Sequence, residues 1–111
     1  MAQTPEAKVK KAVVKILKEL GAYYFYPVTG GYGTSGVPDI VLCIDGYFVG
    51  IECKAGKNKP TALQEQNLRK IKEAGGVALV VNEHNTPALK EYLVKRLSMK
   101  QPLPEQGTQW T

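Results

Sequence analysis

Apolar residues at Val9, Ala12, Val13, Ile16, Leu17 and Leu20 recur at the spacing of one helix face, and that stripe predicts an amphipathic helix. Thr4 can cap it, Pro5 takes the first helical position, where a missing N–H costs nothing, and Gly21 ends the pattern. Tyr23 to Tyr26 is short, aromatic and strand-like before Pro27, and a loop of small residues follows from Thr29 to Gly36. Two strand-like segments, Pro38–Ile44 and Tyr47–Lys54, flank Asp45-Gly46, the strongest short-range signal for a hairpin turn. After a polar connection from Lys57 to Pro60, Thr61 opens a second helix that runs through Leu63, Leu68 and Ile71 to Gly75-Gly76. Val77–Val81 is a continuous apolar run, short enough to be a buried strand, and Thr86-Pro87 caps and starts a third helix reaching about Leu97. The order α-β-β-β-α-β-α predicts an α/β fold, a mixed central β-sheet flanked by helices on both faces. A chain of 111 residues has room for one core, assigned to residues 1–98, with 99–111 as a C-terminal tail.

The hairpin turn fixes what the two central strands bring together. In a type I′ turn Ile44 faces Tyr47, so Asp39 lies opposite Glu52 in a non-hydrogen-bonded pair, and alternation adds Lys54 to the same face. Carboxylates held face to face destabilise a sheet by some tenths of a kcal/mol or more, so such a pair points to a cation or a shared proton. The flanking positions are apolar: Val41, Cys43 and Phe48 on the acidic side, and Ile40, Leu42, Ile44, Val49 and Ile51 on the other. The carboxylates therefore sit at the edge of a core, where hard oxygen ligands suit Mg²⁺ or Mn²⁺. Glu52 and Lys54 alone would read as a solvated strand end.

Composition narrows the partner. Hydrophobic residues at 43% and charged residues at 23% describe an ordinary globular chain. Fifteen Lys and Arg against ten Asp and Glu give +5, which favours a polyanion, and the predominance of Lys favours phosphate screening over bidentate base reading. No stretch approaches a membrane span, and the opening residues lack the layout of a secretion signal, which predicts a cytoplasmic protein of a bacterium or phage-infected cell with no membrane partner. Cys43 and Cys53 fall on opposite faces and should stay thiols. Gly31-x-Gly33-x-x-Gly36 precedes a strand rather than opening a helix, so no nucleotide cofactor is expected, and the loop instead can admit a phosphodiester backbone near Asp39. His84 reads as a surface residue in a polar turn. Tyr23, Tyr24 and Tyr26 could stack on bases, but core packing is the commoner use of aromatic strands.

Pro38-Asp39, twelve intervening residues and Glu52-Cys53-Lys54 resemble the P-D…(D/E)-x-K signature of a superfamily of metal-dependent nucleases. The run from Gly30 through Gly36-Val37-Pro38-Asp39-Ile40, with Gly50-Ile51-Glu52-Cys53-Lys54 and Thr61-Ala62-Leu63-Gln64, more narrowly resembles the VRR-NUC family of virus-type replication and repair nucleases, in its stand-alone phage-type form. The resemblance implies that Asp39, Glu52 and the Cys53 backbone carbonyl ligate Mg²⁺ or Mn²⁺, with Lys54 positioning the attacking water or stabilising developing phosphorane charge. It also implies an acidic ligand on the first helix, matched by Glu6, and a site glutamine on the second, matched by Gln64. Glu6 shares the inward stripe of Val9 and Val13, yet an acid at that position also complements the helix dipole. Thr61-x-x-Gln64 is equally a capping box.

The expected function is a metal-dependent DNA endonuclease, and the resemblance to the superfamily implies that it leaves a 5′-phosphate. A domain this small reads substrate shape best as a homodimer, and the resemblance implies branched DNA such as four-way (Holliday) junctions. The alternative is a non-catalytic basic DNA-binding module with a degenerate site, against which the intact Asp39, Glu52 and Lys54 argue. Setting aside Glu6, Asp39, Glu52 and Lys54 leaves 14 basic and 7 acidic residues, a basic surround to an acidic pocket. Lys8, Lys11, Lys57 and Lys59, with Ser35 in the glycine-rich loop, are the expected DNA contacts.

Overall fold

A computed structural model describes residues 4–28 and 36–98, with side chains to residue 95. The tail from residue 99 and most of the glycine-rich loop, including Ser35, lie outside the described residues. Seven elements follow one another: α1 (Pro5–Glu19), β1 (Tyr23–Phe25), β2 (Ile40–Ile44), β3 (Tyr47–Cys53), α2 (Ala62–Glu73), β4 (Val77–Val81) and α3 (Thr86–Ser98). The strands form one sheet in the order β1-β2-β3-β4, antiparallel except for the parallel β3–β4 pair, whose crossover is α2. This is the predicted α/β order, with helices on both faces. Among the described residues no helix is long and apolar enough to cross a membrane.

Thr4 caps α1 as expected, its hydroxyl accepting the Ala7 N–H at 3.1 Å, and Val9, Val13 and Leu17 are buried. They pack with Leu89 and Leu93 of α3 on the sheet face made by Ile40, Leu42, Ile44, Val49 and Ile51. The opposite face carries α2. Its Ile71 lies so close to the β3 backbone that a Cβ on Gly50 would come within 2.7 Å of the Ile71 Cδ1, so the helix rests directly on the strand.

Asp45 and Gly46 both have positive φ, 48° and 85°, the conformation a type I′ turn requires, and the ladder runs in the predicted register from Ile44↔Tyr47 to Ile40↔Ile51. Three boundaries differ from the sequence reading. β2 starts at Ile40 rather than Pro38, because the Asp39 carboxylate takes the Cys53 N–H that the continuing ladder would have used. β3 ends at Cys53, although the Lys54 N–H still donates to the Val81 carbonyl at 2.9 Å. α3 begins at Thr86 itself, so Thr86 is not its cap, and Asn82 and Asn85 close the preceding turn through reciprocal side-chain-to-backbone bonds.

The aromatic strand is also not the core strand that composition suggests. Tyr24 is half-buried, but Tyr23 is 74% exposed, and Phe25 and Phe48 are exposed on the same side. β1 is an edge strand and α2 packs on the β3–β4 half of that face, so among the described residues no helix covers the β1–β2 half.

Candidate metal centre

Asp39, Glu52, Lys54 and Gln64 converge where β2 starts, β3 ends and α2 begins. One Asp39 oxygen, Oδ2, accepts the Cys53 N–H at 2.8 Å. This bond ends the ladder and holds the carboxylate beside Glu52. N–H and C=O of one extended residue leave a strand on the same side, so the Cys53 carbonyl also points toward the Asp39 side. The Cys53 thiol is fully buried and pushed up to about 12, first by burial and then by the charges of Asp39 and Glu52, so it stays protonated. Cys43 is exposed and both cysteines are free, as the face alternation requires.

Glu52 is 2% exposed, and its Oε2 has no hydrogen-bond partner among the described residues. Its pKa is pushed up to about 8, chiefly by burial and then by the adjacent Asp39 carboxylate; Lys54 pulls it down and Glu6 pushes it up. Unpaired carboxylate oxygens in an apolar surround call for either a proton or a cation.

Gln64 resolves two readings that looked exclusive in the sequence. Its Oε1 accepts the Thr61 N–H at 2.9 Å, completing a capping box with the Thr61 hydroxyl, which accepts the Gln64 N–H at 3.2 Å. Its Nε2 donates to Glu52 Oε1 at 3.0 Å. The cap fixes which end of the amide faces the site, since a flipped amide would set its NH₂ against an N–H and its carbonyl against a carboxylate. Gly36 makes room for this helix start: its φ is 82°, and a Cβ there would meet the Leu63 carbonyl carbon at 2.7 Å and the Gln64 nitrogen at 2.9 Å.

Gln64→Glu isolates the amide's second role, because a carboxylate still accepts the Thr61 N–H but cannot donate to Glu52. Leaving that buried oxygen without a donor costs about 1–3 kcal/mol. Thermal unfolding at pH 8 without divalent ions should show a loss of roughly 4–12 °C, with far-UV circular dichroism unchanged; an unaltered melting temperature would show that the amide only caps.

Lys54 is largely buried, and its Nζ lies 3.8 Å from Glu52 Oε1 and 3.9 Å from Glu6 Oε1. Glu6 is about half-exposed and meets the site through Lys54, at the margin of the α1 stripe. Among the described residues no group of three or more His, Cys, Asp or Glu side chains is gathered closely enough to hold a metal ion. The available donor set is two facing carboxylates and a backbone carbonyl. These are hard oxygen ligands, and with the orphaned Glu52 Oε2 they fit a cation such as Mg²⁺ or Mn²⁺, which keeps several waters and needs only one or two carboxylates.

Of the expected DNA contacts, Lys8 and Lys11 are exposed on α1, and Lys57 and Lys59 are exposed on the segment between β3 and α2. His84 is exposed, as expected, with its Nε2 3.2 Å from Glu83.

No family model matches the sequence, and no curated protein does. Solved structures do match. One titled "VRR_NUC domain" aligns at a TM-score of 0.64 and 19% identity, covering 89% of this chain and 100% of that structure. Another, titled "VRR_NUC domain protein", aligns at 0.64 and 18%, covering 89% of this chain and 93% of the other. The chain has a VRR-NUC fold. Within the VRR-NUC fold of this chain, the paired carboxylates lie where the antiparallel hairpin ends and the crossover helix starts, so three elements fix them.

Proposed function

We propose that the protein is a divalent-metal-dependent endonuclease that hydrolyses DNA phosphodiester bonds. One observation carries the reading: a buried Glu52 carboxylate, with an oxygen that has no donor among the described residues, faces Asp39 inside a VRR-NUC fold. Asp39, Glu52 and the Cys53 carbonyl would hold Mg²⁺ or Mn²⁺, with Glu6 nearby across Lys54. A divalent ion there supplies charge neutralisation at the scissile phosphate and lowers the pKa of a water. Gln64 holds the Glu52 carboxylate in orientation from the α2 side. The Lys54 ammonium, kept near the carboxylates at ion-pair range, stabilises the negative charge that develops on the phosphoryl oxygens. Lys8, Lys11, Lys57 and Lys59, with Ser35, contact the DNA backbone outside the reacting centre.

The substrate favoured by this reading is branched DNA, such as a four-way junction, cut by a homodimer that presents two sites about a two-fold axis. The exposure of Tyr23, Phe25 and Phe48 on the β1–β2 face, among the described residues, supports a second copy as its occupant. A solution mass equal to one chain at micromolar concentration would remove the dimer from this reading. The activity is tested with end-labelled junction, flap and duplex DNA in Mn²⁺ or in EDTA. Metal-dependent nicking of the junction is the expected result. Absence of metal-dependent cleavage on all three overturns the nuclease reading, and salt-sensitive binding alone would leave a DNA-binding module.

A further inference from the structure

Past the end of β3, the segment leading to α2 walls a groove of about 780 Å³ together with α2 and the β4 edge. Its floor is apolar, made by Leu68 and Val80, while Lys57 and Lys59 stand on one wall and Arg69 and Lys72 on the other. Arg69 and Lys72 follow Glu65 at helical spacing, a stripe one position round the helix from the inward Gln64, Leu68 and Ile71. Among the described residues, Glu65 is the one acidic residue lining the groove.

Among the described residues, none of these four cations has an ion pair or hydrogen-bond partner, in contrast to Lys54 and Lys90, which pair with carboxylates, and Lys10, which lies over the Tyr26 ring. Four cations against one carboxylate, Glu65, around an apolar-floored groove leave an excess of positive charge that a bound anion would offset. Two elements run from the candidate site to the groove. The segment that places Lys54 at the carboxylates places Lys57 at the groove three residues later, and the helix that places Gln64 on Glu52 places Arg69 at the groove.

We propose that this groove takes the phosphodiester backbone of the nucleic-acid strand running away from the reacting centre. Phosphates bind Lys57, Lys59, Arg69 and Lys72, and sugars lie against Leu68 and Val80. Arg69 is the member suited to grip a phosphate with two parallel N–H donors. The inference rests on the substrate being a nucleic acid, as proposed above, and extends its footprint to α2, where no contact is expected from the sequence.

The test measures binding in EDTA, so that it is independent of cleavage. Each phosphate contact contributes a slope of about −0.9 to log K against log salt on duplex DNA and about −0.7 on single strands. Arg69→Ala/Lys72→Ala should therefore flatten the slope by about 1.8 on duplex or about 1.4 on single-stranded DNA, and the two probes show which strand form occupies the groove. Lys18→Ala/Lys70→Ala removes the same charge outside the groove and should leave the slope near that of the parent. A slope unchanged in the groove variant, or changed equally in both, overturns the proposal. All four residues are exposed, so circular dichroism and melting should match the parent. A parent protein that cleaves nothing but shows the groove-specific slope change keeps this inference and loses the nuclease reading. The reverse result keeps the nuclease and loses the groove.

Discussion

Metal-dependent cleavage by the Asp39→Ala protein is expected to fall by a factor of roughly 10³ or more, because Lewis-acid charge stabilisation supplies several kcal/mol and each ~1.4 kcal/mol is tenfold in rate. DNA binding should be unchanged or tighter, since an anion facing the phosphate has been removed. Asp39 does two things, however, and alanine removes both: it accepts the Cys53 N–H at 2.8 Å, and it is the second carboxylate of the pair. Asp39→Asn separates them. The asparagine carbonyl can still accept the Cys53 N–H, so the end of the hairpin keeps its geometry while the charge is gone. Cleavage lost in both variants, with the melting temperature of Asp39→Asn at or above the parent value, assigns the loss to charge. Retained cleavage in Asp39→Asn would mean that the ion is held elsewhere. Measurement is by single-turnover nicking of a labelled junction in Mn²⁺.

The pairing behind that prediction was legible from two residues. Asp45-Gly46 admits positive φ at both central positions, and a two-residue turn leaves no freedom in the register, so every opposed pair down to Ile40↔Ile51 follows. Gln64 was legible only as a choice between a cap and a site residue. A sequence shows one side chain per position, but a primary amide has two ends, and only the fold shows Oε1 on Thr61 and Nε2 on Glu52. The extent of the ladder was hidden for a related reason: Asp39 replaces a backbone acceptor with a side-chain oxygen, and strand propensity carries no information about that competition. The exposure of Tyr23 and Phe25 was hidden because residue type reports the tendency to be buried, whereas burial depends on which half of the sheet a helix covers. Arg69 and Lys72 gain a common setting only in the fold, where they line one groove with Lys57 and Lys59.

Glu52→Gln is expected to stabilise the metal-free protein at alkaline pH while abolishing cleavage. In the fold the carboxyl's pKa rises from an ordinary 4.5 to about 8, through burial first and the Asp39 carboxylate second. Between those values the unfolded chain has lost the proton and the folded chain keeps it. Folded-state proton binding exceeds unfolded, so stability falls as pH rises from about 5 to 8 and levels off above, by an amount on the order of 3–5 kcal/mol. Glutamine is neutral throughout. Its carbonyl can accept the Gln64 Nε2, and its NH₂ occupies the position of the unpartnered Oε2 and can donate to Asp39. At pH 8.5 in EDTA the variant should melt roughly 12–20 °C above the parent, with the gap closing toward pH 5. Adding Mn²⁺ should narrow the gap from the other side, because a ligand that binds only the folded parent contributes about 2.7 kcal/mol at a hundred times its Kd. A parent melting temperature that stays flat from pH 5 to 8.5 would show that Glu52 is not held as a buried, proton-seeking acid. A structural glutamate would lose stability on replacement, whereas a carboxylate that destabilises its own fold and is needed for turnover loses activity and gains stability in the same substitution.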